Sequence, residues 1–425
     1  MTQYASSLRQ LLSPGVKTFA VDDEPPLFVR GHGAILEDEA GSNYIDMASG
    51  SSVMHLGYGN EAVVAAIRRQ IETGLLHIGP HFHTPSQVEF LSEIKAILPP
   101  GLERLHPATN GTEAIEVAIK LCQYATGKRR FVSFQGSYHG RTAGSLAISA
   151  ARGKAEVLGP FLPAVQVLPY PDGQESDCAA TVQSVLDALG SSSYGLHELA
   201  GIFVEPIQGT GGMVVPPRGF LRVVADRARA LGIPLVVDEI FTGFGRTGRM
   251  FAFEHEEGVK PDILVMAKSL AGGMPAGLVA ASEALFSKLP VGAISSTFQL
   301  HPLSAAAGSA ALKYTIEHDL AGRARTIATW FGDALNGYRN SSPVRAVRGI
   351  GAMFGLQIID GNRNPDAVAC KRIRRSCLRA GLITYECGYA GEVVGLMPPL
   401  VITRSEFDRG IKILNNALQE EINRQ

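Results

Sequence analysis

The chain reads as an α/β protein: a mainly parallel sheet covered by helices, with a smaller α+β unit toward its C-terminal end. Three observations predict this. Between about residue 60 and residue 300, short apolar or β-branched runs alternate with longer helical stretches, the pattern of strand–helix–strand crossovers. Several of the short runs are continuously apolar, as strands buried on both faces must be. Beyond about residue 340 the alternation gives way to strand-like runs around one helix, and then to a closing amphipathic helix.

In chain order, the first stretch predicts a short arm followed by a hairpin of residues 34–36 and 43–46, turned by Asp38, Glu39, Ala40 and Gly41. The strands of the main sheet are expected at residues 130–134, 165–168, 201–205, 234–238, 263–266 and 277–280. Helices at 113–125 and 221–231 have the length of crossover connections. Residues 344–359 and 382–397 read as strands around a helix near 366–380. Thr403, Arg404, Ser405 and Glu406 form a capping box ahead of Phe407, Ile411, Leu414 and Leu418, which recur at helical spacing. The expected division is residues 1–60 as arm and part of a small unit, 61–330 as a large domain, and 331–425 as the C-terminal small domain.

Composition removes several functions. The chain has 425 residues, 45% of them hydrophobic, enough to bury a large core. Lys+Arg and Asp+Glu number 39 and 40, and no block of like charge forms a phosphate-tracking stripe, so neither nucleic acid nor an anionic membrane is an expected partner. The first thirty residues lack a basic segment followed by an apolar one, and every long apolar stretch is broken by Gly, Pro or charge; no export signal or membrane span is expected. The five cysteines, Cys122, Cys178, Cys370, Cys377 and Cys387, include no C-x-x-C pair and read as reduced thiols of a cytoplasmic protein. His77, His81 and His83 have no second cluster at ligand spacing, so no metal site is expected.

Four positions carry candidate chemistry. Lys268 closes the apolar run 262–267 and is followed by the small, flexible Ser269, Leu270, Ala271, Gly272 and Gly273. An unpaired ammonium at the inner end of a buried strand tends to lose its proton and becomes a nucleophile toward carbonyls, although such a lysine also serves as a solvated strand end. Asp238 ends an apolar strand, at the carboxyl edge where ligands sit in open α/β sheets; its neighbour Glu239 faces the other side, so the two cannot work as a pair on one atom. Thr109, Asn110, Gly111, Thr112 and Glu113 precede a strongly patterned helix, and Gly111 and Thr112 offer amides and a hydroxyl to an anion, or an ordinary helix cap. Tyr138 and Arg141, in the run Ser137 to Thr142, supply a ring that stacks on a planar group and a guanidinium that pairs with a carboxylate, or a seam cover and a surface ion pair. A serine hydrolase is disfavoured, for no G-x-S-x-G turn is present.

The motifs follow one another as a Gly-Thr cup, Tyr-His-Gly-Arg-Thr, Glu-Pro-x-Gln-Gly, Val-Asp-Glu, Gly-Phe-Gly-Arg-Thr-Gly and Lys-Ser-Leu-Ala-Gly-Gly. That series resembles the class III (subgroup II, or ω-) aminotransferases of the fold type I pyridoxal phosphate enzymes, from roughly Leu36 to the final helix. The resemblance implies a seven-stranded-type sheet sandwiched by helices, and a small domain built from both termini. It implies pyridoxal phosphate bound to Lys268 as a Schiff base, Asp238 on the pyridine nitrogen, Tyr138 stacked on the ring, and Gly111 and Thr112 at the phosphate. His139 and Glu205, within the matched motifs, are expected beside the cofactor. Thr297 matches a threonine that family members donate to the phosphate site of the neighbouring subunit, so the implied assembly is a homodimer with shared active sites.

The implied reaction passes an amino group from an amine donor to a carbonyl acceptor in two half-reactions. The substrate residues are where the chain departs from the pattern. Relatives that use glutamate hold its α-carboxylate with an arginine and park that arginine on a glutamate; the matching positions here are Gly395 and Thr210. Losing both together avoids an unpaired buried charge. Phe241 stands where many relatives place a glutamine beside the cofactor's phenolic oxygen. With Arg141, these positions predict a subsite for an amine or ω-amino compound without a glutamate-like α-carboxylate, an amino sugar or other specialised metabolite among the candidates. Epimerisation or racemisation, a 1,2-amino shift and decarboxylation-dependent transamination remain alternatives on the same cofactor, whereas Thr210 is a poor second acid/base for an epimerase.

Overall fold

A computed structural model describes residues 25–150, 164–174, 178–190, 198–338 and 343–424, together with residues 11 and 13. Most of the expected N-terminal arm lies outside the described residues. The main sheet has seven strands: β4 (Arg104–Ala108), β5 (Arg130–Phe134), β6 (Val165–Leu168), β7 (Leu199–Val204), β8 (Leu235–Asp238), β9 (Ile263–Met266) and β10 (Gly277–Ala281). Their spatial order is β4-β10-β9-β8-β7-β5-β6. The pairs among β9, β8, β7, β5 and β6 are parallel, whereas β10 runs antiparallel to both β9 and β4. One reversed strand in seven therefore leaves six carboxyl ends at the same edge.

Alternation along the central strands explains why this sheet sits in the middle of the fold. Leu235 and Val237 of β8 and Leu264 and Met266 of β9 enter one core, whereas Val236, Ile263 and Val265 enter the core on the opposite face. With side chains of period two and both faces covered, each strand must be apolar throughout. The helix Gly111–Thr126 packs Ile115, Ala118, Ile119 and Cys122 on the second face and ends on Gly127 in the left-handed conformation. The helix Phe220–Leu231 packs Phe220, Leu221, Val224 and Ala228 on the first.

β4 was legible only as an apparent strand ahead of Thr109. It contains Pro107 and only one strongly apolar residue, Leu105, because it is a sheet edge where a missing N–H is tolerated.

The remaining chain forms two four-stranded sheets. β1 (Phe28–His32), β2 (Ile35–Asp38) and β3 (Asn43–Asp46) continue into β13 (Leu382–Ile383), which lies parallel to β3. β11 (Val344–Ile350), β12 (Met353–Ile358), β14 (Tyr385–Cys387) and β15 (Val393–Leu396) make the other, in the order β11-β12-β15-β14. The run 344–359 is thus two strands turned at Gly351 (φ +59°), and the run 382–397 is three short strands shared between two sheets. The closing helix Arg404–Ile422 carries its capping box on Thr403 and Glu406 and buries Phe407, Leu414 and Leu418 in the same core as Phe331, Leu356 and Ile373. Cys122, Cys370, Cys377 and Cys387 are buried thiols. No helix among the described residues is long and apolar enough to cross a membrane.

Candidate active site

The carboxyl ends of β4, β5, β7, β8 and β9 open into one cavity of about 420 Å³, within the size range of small-molecule sites. Its wall includes Asn110, Gly111 and Thr112 after β4, Tyr138 and His139 after β5, Glu205 after β7, Asp238, Ile240 and Phe241 at β8, and Lys268 after β9. Positions more than 150 residues apart in sequence meet because parallel strands deliver their ends to the same edge.

On the deep side, Asp238 is 3% exposed, and its Oδ1 accepts a hydrogen bond from the backbone N–H of Ile240 at 2.9 Å. His139 Nδ1 lies 2.7 Å from Asp238 Oδ2, a pairing that fixes the ring's proton on Nδ1. Burial lowers the imidazole's affinity for a second proton, but the hydrogen bond and charge of Asp238, with Glu205 adding to them, raise it overall. The Nε2 atom of the same ring is buried without a partner among the described residues. Glu205 accepts the Tyr138 N–H at 3.1 Å, and burial pushes its carboxyl up to about 7. Glu239 points away from the cavity, where its carboxylate accepts from Thr242 Oγ1 and from the Phe253 N–H.

Lys268 begins a one-turn 3-10 segment, Lys268–Ala271, with φ +48°, a conformation that costs a side-chain-bearing residue about 1 kcal/mol or more. Desolvation by the cavity wall lowers its ammonium to about 8, with Asp238 and Glu205 acting the other way. The amine therefore gives up its proton far more readily than an exposed lysine does, which favours reaction with a carbonyl.

On the outer side, Asn110 caps the helix Gly111–Thr126 by accepting from the Glu113 N–H at 2.9 Å. The free amides and partial positive charge of that helix start face the cavity, a ready anion site. An added Cβ at Gly111 would stand 2.9 Å from Ile240 Cδ1 and 3.2 Å from its Cγ2, so the Ile240 side chain would have to shift to admit it.

Arg141 and Gly395 do not line the cavity. Arg141 is exposed, its guanidinium carbon 5.8 Å from the Tyr138 ring centre. Gly395 is buried in β15, where a Cβ would be 3.1 Å from Cys387 Sγ and Met213 Cε and 3.2 Å from Tyr385 Cβ. The room an arginine needs at position 395 is filled by neighbours. Thr210 lines the cavity and hydrogen-bonds Tyr385. Thr297 is exposed and does not line its own chain's cavity, and it stands beside the exposed Phe298.

Sequence reasoning did not single out Asn110 itself, Ile240, Val53, Met274 or Tyr385. Ile240 was findable, since it stands two residues after Asp238. Val53 and Met274 come from segments with no motif of their own. Among the described residues no group of three or more His, Cys, Asp or Glu gathers as a metal site.

The model of the "Aminotransferase class-III" family matches residues 18–418. The acetylornithine aminotransferase of Methanopyrus kandleri is 34% identical over 395 residues, spanning 93% of this chain and 95% of that protein. The diaminobutyrate–2-oxoglutarate aminotransferase of Rhizobium meliloti is 33% identical over 398 residues, spanning 89% and 84%. Among solved structures, an (S)-enantioselective ω-transaminase from Thermomicrobium roseum superposes with a TM-score of 0.90 at 26% identity, covering 99% of this chain and 100% of that one.

Proposed function

This chain belongs to the class-III aminotransferases, and we propose that it serves an amine or ω-amino donor and a carbonyl acceptor that are not held in the way glutamate is. Its reaction is transamination and its cofactor is pyridoxal phosphate. The cavity suits that group: it joins a helix start for a phosphate, a buried carboxylate for a ring nitrogen and a lysine of lowered proton affinity for an aldehyde. When bound, pyridoxal phosphate supplies an aldehyde carbon for amines and a ring that withdraws the electron pair released at the substrate carbon.

We assign covalent attachment to Lys268. Once its amine is free, Lys268 carries the proton removed from the substrate's amine-bearing carbon. Asp238, oriented by His139, offers its carboxylate to a protonated ring nitrogen. Tyr138 covers one face of the site and Gly111 and Thr112 receive the phosphate. We read residues 61–330 as the cofactor-binding domain, with 1–60 and 331–425 contributing the smaller one.

The observation that carries the substrate reading is the cavity wall itself. Among the described residues the wall's lysine or arginine is Lys268, and neither Thr210 nor Gly395 offers a charge for an α-carboxylate. We further read the enzyme as a cytoplasmic homodimer. The exposed Leu75, Leu76, Phe82, Val88 and Phe298 support that assembly, with Thr297 reaching the partner's phosphate site.

A panel of amines without added acceptor, followed through the cofactor's visible absorbance, tests the first half-reaction. Simple amines and ω-amino compounds should convert the cofactor, and keto acids or aldehydes should restore it. Should 4-aminobutyrate or ornithine with 2-oxoglutarate be the best pair by a wide margin, the substrate reading is wrong. Borohydride reduction followed by peptide mapping should place the cofactor's mass on the peptide containing Lys268; finding it elsewhere removes the assignment of that lysine.

A further inference from the structure

The Lys268 amine and the Phe241 ring meet across the cavity wall, with Nζ 3.9 Å from the ring centre. At that range an aromatic face attracts a cation, and more strongly where water is excluded.

The ring's place is closely determined. Phe241 is 5% exposed and packs in a cluster with Met213, Met353, Met397 and Cys387. Its ring centre lies 6.0 Å from that of Tyr385. Gly209 makes the space: a Cβ there would fall 2.4 Å from Phe241 Cδ1 and 2.5 Å from Cγ, so any side chain at 209 displaces the ring.

One residue ties the two partners together. Ser52 Oγ donates to the Phe241 carbonyl at 3.3 Å, and the Ser52 carbonyl accepts from Ser269 Oγ, next to Lys268, at 3.0 Å.

We propose that Phe241 is a positioning residue for Lys268: its face holds the free ammonium in one place on the cavity wall, a role made possible by Gly209 and braced by Ser52. The proposal rests on reading Lys268 as the covalent lysine. Around the same amine, Asp238 from β8 and Glu205 after β7 favour the cation, and His139 lies behind Asp238. The ring adds to their effect without adding a second anion beside Asp238.

The test uses the full-length protein freed of cofactor. Modification of Lys268 by acetic anhydride is followed against pH by peptide mass spectrometry, with the exposed Lys120 as internal reference. Wild-type reactivity should rise with a midpoint near 8. Phe241→Leu, which keeps the apolar volume and removes the ring, should lower the midpoint by roughly half to one and a half pH units. Phe241→Trp should hold it at or above the wild-type position, and Gly209→Ala, which expels the ring, should behave as the leucine variant does. If leucine does not fold, Phe241→Met takes its place. Equal midpoints in wild type and the leucine or methionine variant, or equal shifts in these and the tryptophan variant, overturn the proposal. The labelling needs no turnover, so its failure is distinct from failure of the covalent assignment, which the borohydride mapping reports.

Discussion

His139 Nδ1 stands 2.7 Å from Asp238 Oδ2 in a pocket where the two residues are 1% and 3% exposed. The carboxylate at the end of β8 is thus oriented by a histidine delivered from the end of β5, and its charge in turn raises the histidine's affinity for a proton. Asp238→Asn keeps the shape and removes the charge. We expect kcat/KM to fall by about 100- to 1000-fold, the size of effect seen when one preorganised electrostatic partner is lost. The His139 titration followed by NMR should move down at the same time, because burial then acts without the opposing carboxylate.

Glu205 gives a pH dependence of defined sign. Burial raises its carboxyl to about 7 from an ordinary value of 4.5. Between those values the folded protein holds a proton that the unfolded chain has lost, so stability falls as pH rises through the window. Glu205→Gln should flatten this decline in the cofactor-free protein, by an amount on the order of 1–3 kcal/mol. Chemical denaturation of both proteins at a series of pH values from about 4.5 to 7.5 measures it.

Gly395→Arg on its own should fail to install a glutamate subsite. The first atom of any side chain meets Cys387 Sγ and Met213 Cε at 3.1 Å, so overpacking costs about 1–3 kcal/mol. Thermal melting should show the loss, and the KM for 2-oxoglutarate should not improve. An improved KM with unchanged melting would mean that Met213 and Tyr385 yield easily.

Thr297 is tested by mixing subunits. If each site borrows this threonine from the partner, Thr297→Ala and Lys268→Ala proteins, separately impaired, assemble hybrids with one intact site. Random re-assortment should restore roughly a quarter of wild-type specific activity. No recovery above the sum of the two parents would place Thr297 outside the shared site.

Much of this was legible in the chain because it depends on local pattern. The apolar runs at 263–266 and 234–238 required strands buried on both faces, and the Thr403–Glu406 box required a helix start. β4 was obscured by Pro107, which is acceptable only at an edge, and the position of an edge is not written locally. The run 382–397 concealed a change of sheet, between β13 and β14, for a similar reason: short strands take their partners from distant chain.

By itself the sequence determined the α/β class and the order of motifs, and it named Lys268, Asp238 and the Gly111–Thr112 helix start as candidates. Only the tertiary structure decided what surrounds them. It buried Lys268 enough to lower its proton affinity, put the Phe241 ring 3.9 Å from its amine, and filled the space beside Gly395 with Met213 and Tyr385. Desolvation and steric exclusion depend on atoms brought together from remote parts of the chain, and no local pattern encodes them.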